Sequence, residues 1–328
     1  MTALVPRRDT SRVATPLDRE IWQAEAAAYR HYGLHPYEER VWVDSIYGHY
    51  GVRLTRFRAH SSSGRPLPPV LLLHGIGSVN VIAAPLLAHL SGREVVAVDF
   101  PGHGLSQRCI LPRQVDLRGF TGSVVESLLA HVGADQVDLV GHSLGAQFSL
   151  YAGLDLADRV RRLVLLGAPG AAFPGAKPVA AMKLMTLPWV GKLAASVPMD
   201  DQKFALFNEQ YALGRDAFVA VPPHMITAGR LINGRSGNAE SVSSYYRALL
   251  RRGSIRPEVT LSAIELGRLR QPTLLAWGDN DIFSSPARAA ESVVAIRDAH
   301  LIRVPGAGHA PWLQRPQVVG SAVAAHLA

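Results

Sequence analysis

Ser143 stands in a pattern that could make its hydroxyl a nucleophile. Positions 141–145 read GHSLG, directly after the strand-like run 137–140 and directly before a helical pattern that begins at Leu144. A sharp turn from a strand into a helix brings two backbones close together, and glycine suits such a turn because it has no Cβ. The turn would leave the Ser143 hydroxyl exposed at the end of the strand and at the N-terminus of the helix.

A serine hydroxyl is a poor nucleophile near neutral pH, so it needs a base, and the base needs a carboxylate to hold it. Residues of both types follow two later strand-like runs: Asp279 and Asp281 follow one, and His309 follows the next. The carboxyl ends of parallel strands meet at one edge of a sheet, so we expect these side chains to lie near Ser143. The residues alone leave Asp279 and Asp281 as alternative acids.

The elements that must position these residues alternate along the chain. Strand-like runs of mainly apolar residues, typical of strands buried on both faces, occur at 70–73, 95–98, 137–140, 163–166, 273–277 and 300–304. Helical patterns occur at 79–90, 116–132, 144–157, 286–296 and 316–327. Two earlier runs, 40–44 and 51–60, alternate apolar and polar residues as antiparallel strands do. The order predicts an α/β fold with a mostly parallel sheet of about eight strands flanked by helices.

Two further segments complete the predicted organisation. Residues 1–39 are a leader followed by a helical pattern from Leu17 to Tyr29, and residues 40–169 with 263–328 form the catalytic domain. Residues 170–262 have no clear buried strand and are rich in Leu, Met, Phe and Tyr, which predicts an inserted helical lid over the carboxyl edge of the sheet.

From about Arg40 onward the chain resembles the α/β-hydrolase superfamily, specifically its branch with a helical cap (lid) domain. HGIG at 74–77 resembles the family's HGxG loop, and DFPGHGLS at 99–106 resembles its DxPGxGxS segment. GHSLG at 141–145 matches the family's nucleophile elbow. GDND at 278–281 and GH at 308–309 resemble its acid and histidine loops. Together these motifs cover nearly the whole predicted catalytic domain.

The resemblance implies a role for each matching residue. Ser143 would attack an acyl carbonyl, His309 would take its proton and return one to the leaving group, and Asp281 would orient His309. The family's G-x-x-D spacing favours Asp281 over Asp279 as the acid. The backbone N–H groups of Ile76 and Leu144 resemble the family's oxyanion hole.

The identity of residue 143 narrows the range of reactions that the protein could catalyse. Epoxide hydrolases and haloalkane dehalogenases of this fold carry an aspartate there, so Ser143 argues against both. We therefore expect a serine hydrolase that cleaves an ester-type acyl bond of a mainly apolar small molecule. The alternatives are C–C bond hydrolysis, thioester hydrolysis or acyl transfer in a secondary-metabolic pathway, and a non-catalytic homologue that only binds a ligand.

The predicted lid should set the specificity. Substrate-binding candidates are His142 in the turn and Met185, Trp189 and Phe207 in the lid. The lid carries eleven Lys or Arg residues against six Asp or Glu residues, a net charge of +5. This suggests an anionic or carrier-bound substrate, with solvated surface charge as the alternative.

Composition excludes several classes of protein. The net charge is +8, but the basic residues are scattered, so we expect no nucleic-acid partner. We find no apolar run long enough for a transmembrane helix and no apolar core of a secretory signal near the start, so we expect a cytoplasmic protein. A single cysteine, Cys109, excludes an internal disulfide. We expect no metal and no cofactor, and a monomer or homodimer.

Overall fold

The structure is a computed structural model that describes residues 7–8, 14–59, 67–187, 189–190 and 197–328. The strands of its main sheet are β1 (Arg7–Arg8), β2 (Tyr37–Ser45), β3 (Gly48–Phe57), β4 (Val70–Leu73), β5 (Val95–Asp99), β6 (Val137–His142), β7 (Val160–Leu166), β10 (Thr273–Gly278) and β11 (Ala299–Val304). Two more strands, β8 (Leu250–Arg251) and β9 (Ser254–Ile255), form a separate hairpin.

The main sheet has the order β1-β2-β3-β5-β4-β6-β7-β10-β11. Strands β1, β2 and β3 pair antiparallel, and β3 also pairs antiparallel with β5. From β5 to β11 every neighbouring pair is parallel. The described sheet thus consists of the expected eight strands plus the two-residue β1, and it confirms the predicted mostly parallel α/β architecture.

Helices flank this sheet. The α-helices among the described residues are α1 (Pro16–His31), α2 (Ala84–Leu87), α3 (Leu117–Val132), α4 (Leu144–Asp155), α5 (Ala180–Met185), α6 (Asp201–Asn208), α7 (Pro223–Asn233), α8 (Asn238–Leu249), α9 (Ala263–Leu266), α10 (Ala290–Ala295), α11 (Pro311–Gln314) and α12 (Pro316–Leu327). None of the helices described is long and apolar enough to cross a membrane.

The region predicted as one helix at 79–90 is broken into shorter turns. A 3₁₀-helix at Asn80–Ala83 is followed by α2 and by a second 3₁₀-helix at Ala88–Leu90. Pro85 lies in the first turn of α2 and has no backbone N–H, so a continuous hydrogen-bond ladder cannot pass through it. The sequence pattern predicted a helical stretch at 79–90 but not this interruption.

The central strands are buried on both faces. Leu71 and Leu73 of β4 belong to one hydrophobic cluster, whereas Val70 and Leu72 belong to another. Alternate residues of a strand point to opposite faces of the sheet, so the two clusters are the cores on its two sides.

Residues 170–262, which we call the cap segment, contain α5 to α8, a π-helical turn at Glu209–Leu213 and the β8–β9 hairpin. The segment joins β7 to the elements that precede β10, and it adds no strand to the main sheet among the described residues. Its helical content is as predicted. The division of the chain into a catalytic domain and a lid domain stays a prediction.

A buried arginine ties the N-terminal helix α1 to the sheet. Arg53 of β3 is fully buried; its Nε donates to Asp99 Oδ2 at 2.7 Å, and its guanidinium also donates to Glu25 Oε1 at 2.8 Å and Glu38 Oε1 at 2.9 Å. Glu25 is in α1, Glu38 in β2 and Asp99 at the end of β5. The helix also contacts α7 of the cap segment. Helix α1 therefore packs against both parts of the molecule.

We predict that Glu25→Ala lowers the free energy of unfolding by about 3 kcal/mol or more, because it leaves a buried guanidinium short of a partner. Glu38→Ala is the matched control: Glu38 binds the same guanidinium, but its side chain is 33% exposed, so water can replace it. Urea denaturation of both variants measures the difference. Equal losses of unfolding free energy in the two variants would show that the burial of Glu25 does not increase its contribution to stability.

Candidate active site

Ser143 occupies a strained turn between β6 and α4. Its φ of 54° and ψ of −116° place a non-glycine residue in a region that side chains rarely adopt. The backbone N–H of Ser143 donates to Leu166 O at 3.2 Å, and its carbonyl accepts from the backbone N–H of Gln147 at 3.1 Å. The neighbouring strand and the following helix thus hold the turn from both sides.

The two glycines of GHSLG are required by crowding. A Cβ added to Gly141 would overlap the carbonyl of Gly145, and one added to Gly145 would overlap the carbonyl of Leu73 at the end of β4. Neither obstacle is a flexible side chain that could move away. The spacing of the motif therefore reflects close contact between the first turn of α4 and two strands.

The structure brings His309 and Asp281 together. His309 Nδ1 lies 2.7 Å from Asp281 Oδ2, and both side chains are buried. The backbone N–H of Ala168 donates to the same carboxylate oxygen at 2.9 Å, and that of Phe283 donates to Oδ1 at 2.9 Å. These donors fix the orientation of the carboxylate. A carboxylate at this distance accepts a hydrogen bond from Nδ1–H of the histidine, and in the neutral ring that tautomer has its lone pair on Nε2.

His309 Nε2 is buried and has no hydrogen-bond partner among the described residues. His309 and Ser143 line the same cavity. An imidazole nitrogen with a lone pair, in the same cavity as a serine hydroxyl, is the arrangement that general-base activation uses.

The alternative acid, Asp279, lies elsewhere. Its Oδ1 accepts from Arg303 Nε at 2.8 Å, and the Arg303 side chain is 61% exposed. Of the two carboxylates that the sequence offered, Asp281 is the one that contacts His309.

The loop at 74–77 approaches the serine closely. A Cβ added to Gly75 would lie 3.1 Å from Ser143 Cβ, and Ile76 lines the cavity beside it. Leu144 is the first residue of α4, where a backbone N–H has no partner within the helix. No described group accepts a hydrogen bond from the backbone N–H of Ile76 or Leu144. Both groups are therefore available as donors to a bound oxygen atom.

Three buried histidines surround this region, and burial lowers the pKa of each. His74 donates from Nδ1 to Gly75 O at 2.7 Å and accepts at Nε2 from the backbone N–H of Phe100 at 3.1 Å, which holds it in one neutral tautomer. Burial lowers the pKa of His103 to about 3. Burial, followed by the charge of His309, lowers the pKa of His142. All three are therefore neutral at physiological pH.

His142 forms part of the cavity wall and contacts the loop that holds His309. Its Nε2 lies 3.3 Å from the backbone carbonyl of His309, and its ring centroid is 4.7 Å from that of His309. It also packs edge-on against Trp312 at 4.7 Å. His142 lines the cavity, as predicted from the sequence, and at the same time supports the His309 loop.

The cavity is small, with a volume of about 80 Å³. The side chains outside the cap segment that line it include Ile76, Val79, Ile82 and Phe283. The cap segment contributes Phe204, Asn208, Ala212, Leu213, Phe218, Met225, Gly229, Asn233 and Tyr246. None of the described lining residues is Lys, Arg, Asp or Glu, so the cavity contains no carboxylate, ammonium or guanidinium group.

Three predicted substrate contacts are not part of this lining. Trp189 is 61% exposed and Phe207 is 47% exposed. Met185 is partly buried, and its carbonyl accepts from Ser243 Oγ. Phe204, one turn before Phe207 on α6, turns inward instead. The sequence did not show which residues of α6 face the cavity: Phe204 lines it and Phe207 does not.

The cap segment contacts the loop that holds His309, and the sequence did not predict this contact. A Cβ added to Gly308 would overlap the carbonyl of Leu213 and lie 2.7 Å from Gly214 Cα. The backbone N–H of Ala310 donates to Leu213 O at 3.4 Å. The end of the π-helical turn therefore rests directly on the loop that holds His309. A glycine immediately before the histidine was the only signal of this contact.

Comparison with known proteins identifies the family. Residues 68–316 match the family model described as alpha/beta hydrolase fold. The chain belongs to the α/β-hydrolase family. The chain is 27% identical over 266 residues to a pimeloyl-[acyl-carrier protein] methyl ester esterase of Nitrosomonas europaea, which covers 76% of this chain and 92% of the relative.

Two further proteins are similar to this chain. A 2-hydroxy-6-oxo-6-phenylhexa-2,4-dienoate hydrolase of Burkholderia cepacia is 25% identical over 275 residues, which covers 80% of this chain and 87% of the relative. The structure is also similar to that of a carboxylesterase from Bacillus subtilis, with a TM-score of 0.68 and 17% identity over 95% of this chain and 99% of that chain. The second likeness supports the fold alone.

Gly167 gives a test of the histidine position. Its φ is +65°, and an added Cβ would overlap His309 O and lie 3.0 Å from Nδ1. We predict that Gly167→Ala slows the reaction of Ser143 with a fluorophosphonate by roughly a hundredfold, because a misplacement of about 1 Å has that effect. Gly133→Ala is the matched control, since Gly133 has a φ of +73° but no atom within 4 Å of the added Cβ.

Both variants should lose about 1 kcal/mol of stability from the strained backbone. Gly167→Ala should lose more than this, because its Cβ also overlaps a backbone carbonyl. Only Gly167→Ala should lose reactivity. Equal labelling rates in the two folded variants would show that the histidine loop tolerates displacement.

Proposed function

We propose that the protein is a serine hydrolase that cleaves an ester-type acyl bond of a mainly apolar small molecule. The observation that carries the proposal is the 2.7 Å contact between His309 Nδ1 and Asp281 Oδ2, with the partner-free Nε2 of His309 in the same cavity as Ser143. Of the histidines in this region, His309 is the one whose Nδ1 contacts a buried carboxylate while its Nε2 faces the cavity that holds Ser143.

The proposed reaction has two halves. Ser143 Oγ attacks the acyl carbonyl while His309 Nε2 takes its proton, and Asp281 stabilises the resulting imidazolium. The negative oxygen of the intermediate accepts hydrogen bonds from the backbone N–H groups of Ile76 and Leu144; one such donor contributes about 3 kcal/mol. The C–O bond then breaks, and the alcohol leaves with the proton from His309. Water, deprotonated by His309, hydrolyses the acyl-enzyme.

The cavity supports an uncharged acyl group. A carboxylate placed among the described lining residues would find no Lys or Arg side chain, and an unpaired buried charge is strongly unfavourable. Asn208, Asn233 and Tyr246 supply the polar atoms that could orient a neutral carbonyl or hydroxyl. The substrate portion that enters the cavity is therefore small and neutral.

Two alternatives are less well supported. The name of the Burkholderia relative specifies a dienoate, whose carboxylate would need a cation that the described lining lacks. Hydrolysis of a carrier-bound ester, as in the name of the Nitrosomonas relative, remains compatible with the site. The carrier would stay outside the cavity, where the net charge of +5 of the cap segment would favour an acidic partner.

We predict that a fluorophosphonate forms a stoichiometric covalent adduct with the wild-type protein and none with Ser143→Ala, measured by intact-protein mass spectrometry. Ser78→Ala is the matched control. Ser78 lines the same cavity, and its buried hydroxyl also has no partner among the described residues. Only the serine beside an activating base should react, so Ser78→Ala should be labelled like wild type.

Turnover of p-nitrophenyl butyrate, lost in Ser143→Ala, would extend the result from reactivity to hydrolysis. A folded wild-type protein that forms no adduct and turns over no ester would contradict the proposal and favour a non-catalytic ligand-binding role.

The charge of the acyl group provides a second test. Mono-p-nitrophenyl succinate has the length of the butyrate ester but ends in a carboxylate. We predict a kcat/KM for the succinate that is lower by roughly tenfold or more, because the carboxylate enters a cavity without a cation. Measurements at low and high salt separate this effect from long-range attraction, which salt screens. Equal or faster hydrolysis of the succinate at high salt would overturn the neutral-acyl assignment.

A further inference from the structure

A second cleft, which shares no lining residue with the acyl cavity, lies between the cap segment and the loop that follows β5. Its volume is about 480 Å³. Its described lining consists of Arg40, Trp42, Gly51, Gly102, Ser106, Gln107, Arg108, Arg235, Ser236, Gly237, Asn238 and Ser241. Because the two cavities have different walls, the cleft is not an extension of the acyl site.

The lining contains three arginines and no acidic residue. They come from three different elements: Arg40 from β2, Arg108 from the loop after β5, and Arg235 from the loop between α7 and α8. Two of the arginines pair with carboxylates outside the lining: Arg235 lies 3.4 Å from Asp18, and Arg108 lies 4.0 Å from Glu240. The Arg108 side chain is 54% exposed, so it can rotate toward a ligand.

The N-terminus of α8 opens into this cleft. Helix α8 has twelve residues, and its N-cap is Gly237 with a φ of 81° and no side-chain cap hydrogen bond. The first backbone N–H groups of a helix carry partial positive charge and favour an anion. A Cβ added to Gly237 would lie 2.8 Å from Arg108 Cδ, so glycine is what allows the arginine to lie over the helix terminus.

Ser241 provides an independent indication that this cleft binds a ligand. The residue is fully buried and lines the cleft, and its Oγ has no hydrogen-bond partner among the described residues. Leaving a buried hydroxyl unpaired is unfavourable, by about 1–3 kcal/mol in typical proteins. A hydroxyl beside an uncapped helix N-terminus and an arginine is suitably placed to donate to an anionic oxygen.

We propose that this cleft is a second binding site, for the phosphate group of a phosphorylated ligand. Arginine guanidinium groups, helix N-terminal N–H groups and a hydroxyl together form the set of donors that phosphate oxygens accept from. The site has room for a moiety attached to the phosphate, which the Trp42 indole could cover. The proposal does not depend on the reaction at Ser143.

Isothermal titration calorimetry with inorganic phosphate at constant ionic strength tests the site. We expect saturable binding by the wild-type protein, weakened roughly tenfold in Arg108→Ala and several-fold in Ser241→Ala. Arg268→Ala, which removes an exposed arginine beyond α9, is the matched control and should bind like wild type. Ser241→Ala removes only an unpaired hydroxyl, so it should fold normally.

Vesicles identify the source of the phosphate. Flotation with phosphatidylcholine vesicles that contain phosphatidic acid, but not with pure phosphatidylcholine, would assign the site to a lipid headgroup if Arg108→Ala abolishes it. Phosphate binding in solution without vesicle binding would assign it to a soluble phosphorylated molecule. The proposal is overturned if the wild type binds neither probe, or if Arg108→Ala and Ser241→Ala bind phosphate as the wild type does.

Discussion

Backbone crowding at the carboxyl edge of the sheet is the constraint on which the candidate site depends. Gly145 lies against the carbonyl of Leu73, and Gly278 lies against the carbonyls of Ala307 and Gly308, at distances that exclude a Cβ. The ends of neighbouring strands and the loops that follow them are therefore in direct contact. Side chains that leave these loops have few alternatives in direction, which is how residues far apart in the chain are held in one geometry.

The same crowding connects the cap segment to the chemistry. The backbone of Leu213 and Gly214 lies against Gly308. Leu213 and its neighbour Ala212 also line the acyl cavity. A movement of this turn would change the shape of the cavity and the position of His309 together. Helix α1 adds a second connection, because it contacts α7 of the cap while Glu25 binds Arg53 of the sheet. One wall of the cavity is thus in direct contact with the loop that holds His309.

The fold and the candidate nucleophile and base could be predicted from the sequence because their signals are local, whereas the choice of Asp281 over Asp279 came from the family resemblance. Each lies in a short loop directly after a buried strand, and strand order then determines which loops meet. The Arg53 network could not be predicted in this way. Its partners Glu25 and Asp99 are 28 and 46 residues away in sequence, and nothing local distinguishes them from surface charges. The orientation of α6 was likewise unpredictable, since an inserted helix has no sheet to define its buried face.

The location of charge explains how a basic cap can coexist with a neutral cavity. Several cap cations are paired with cap carboxylates, as Arg230 is with Asp201 and Arg256 is with Glu258. Arg235 lies at the second cleft, and none lines the acyl cavity among the described residues. The positive charge of the cap therefore acts outside the cavity, where it can bind or attract an anionic group without paying the desolvation penalty of burial. A ligand that is neutral at its reacting end and anionic at a distance would satisfy both environments, whereas one with the reverse arrangement would satisfy neither.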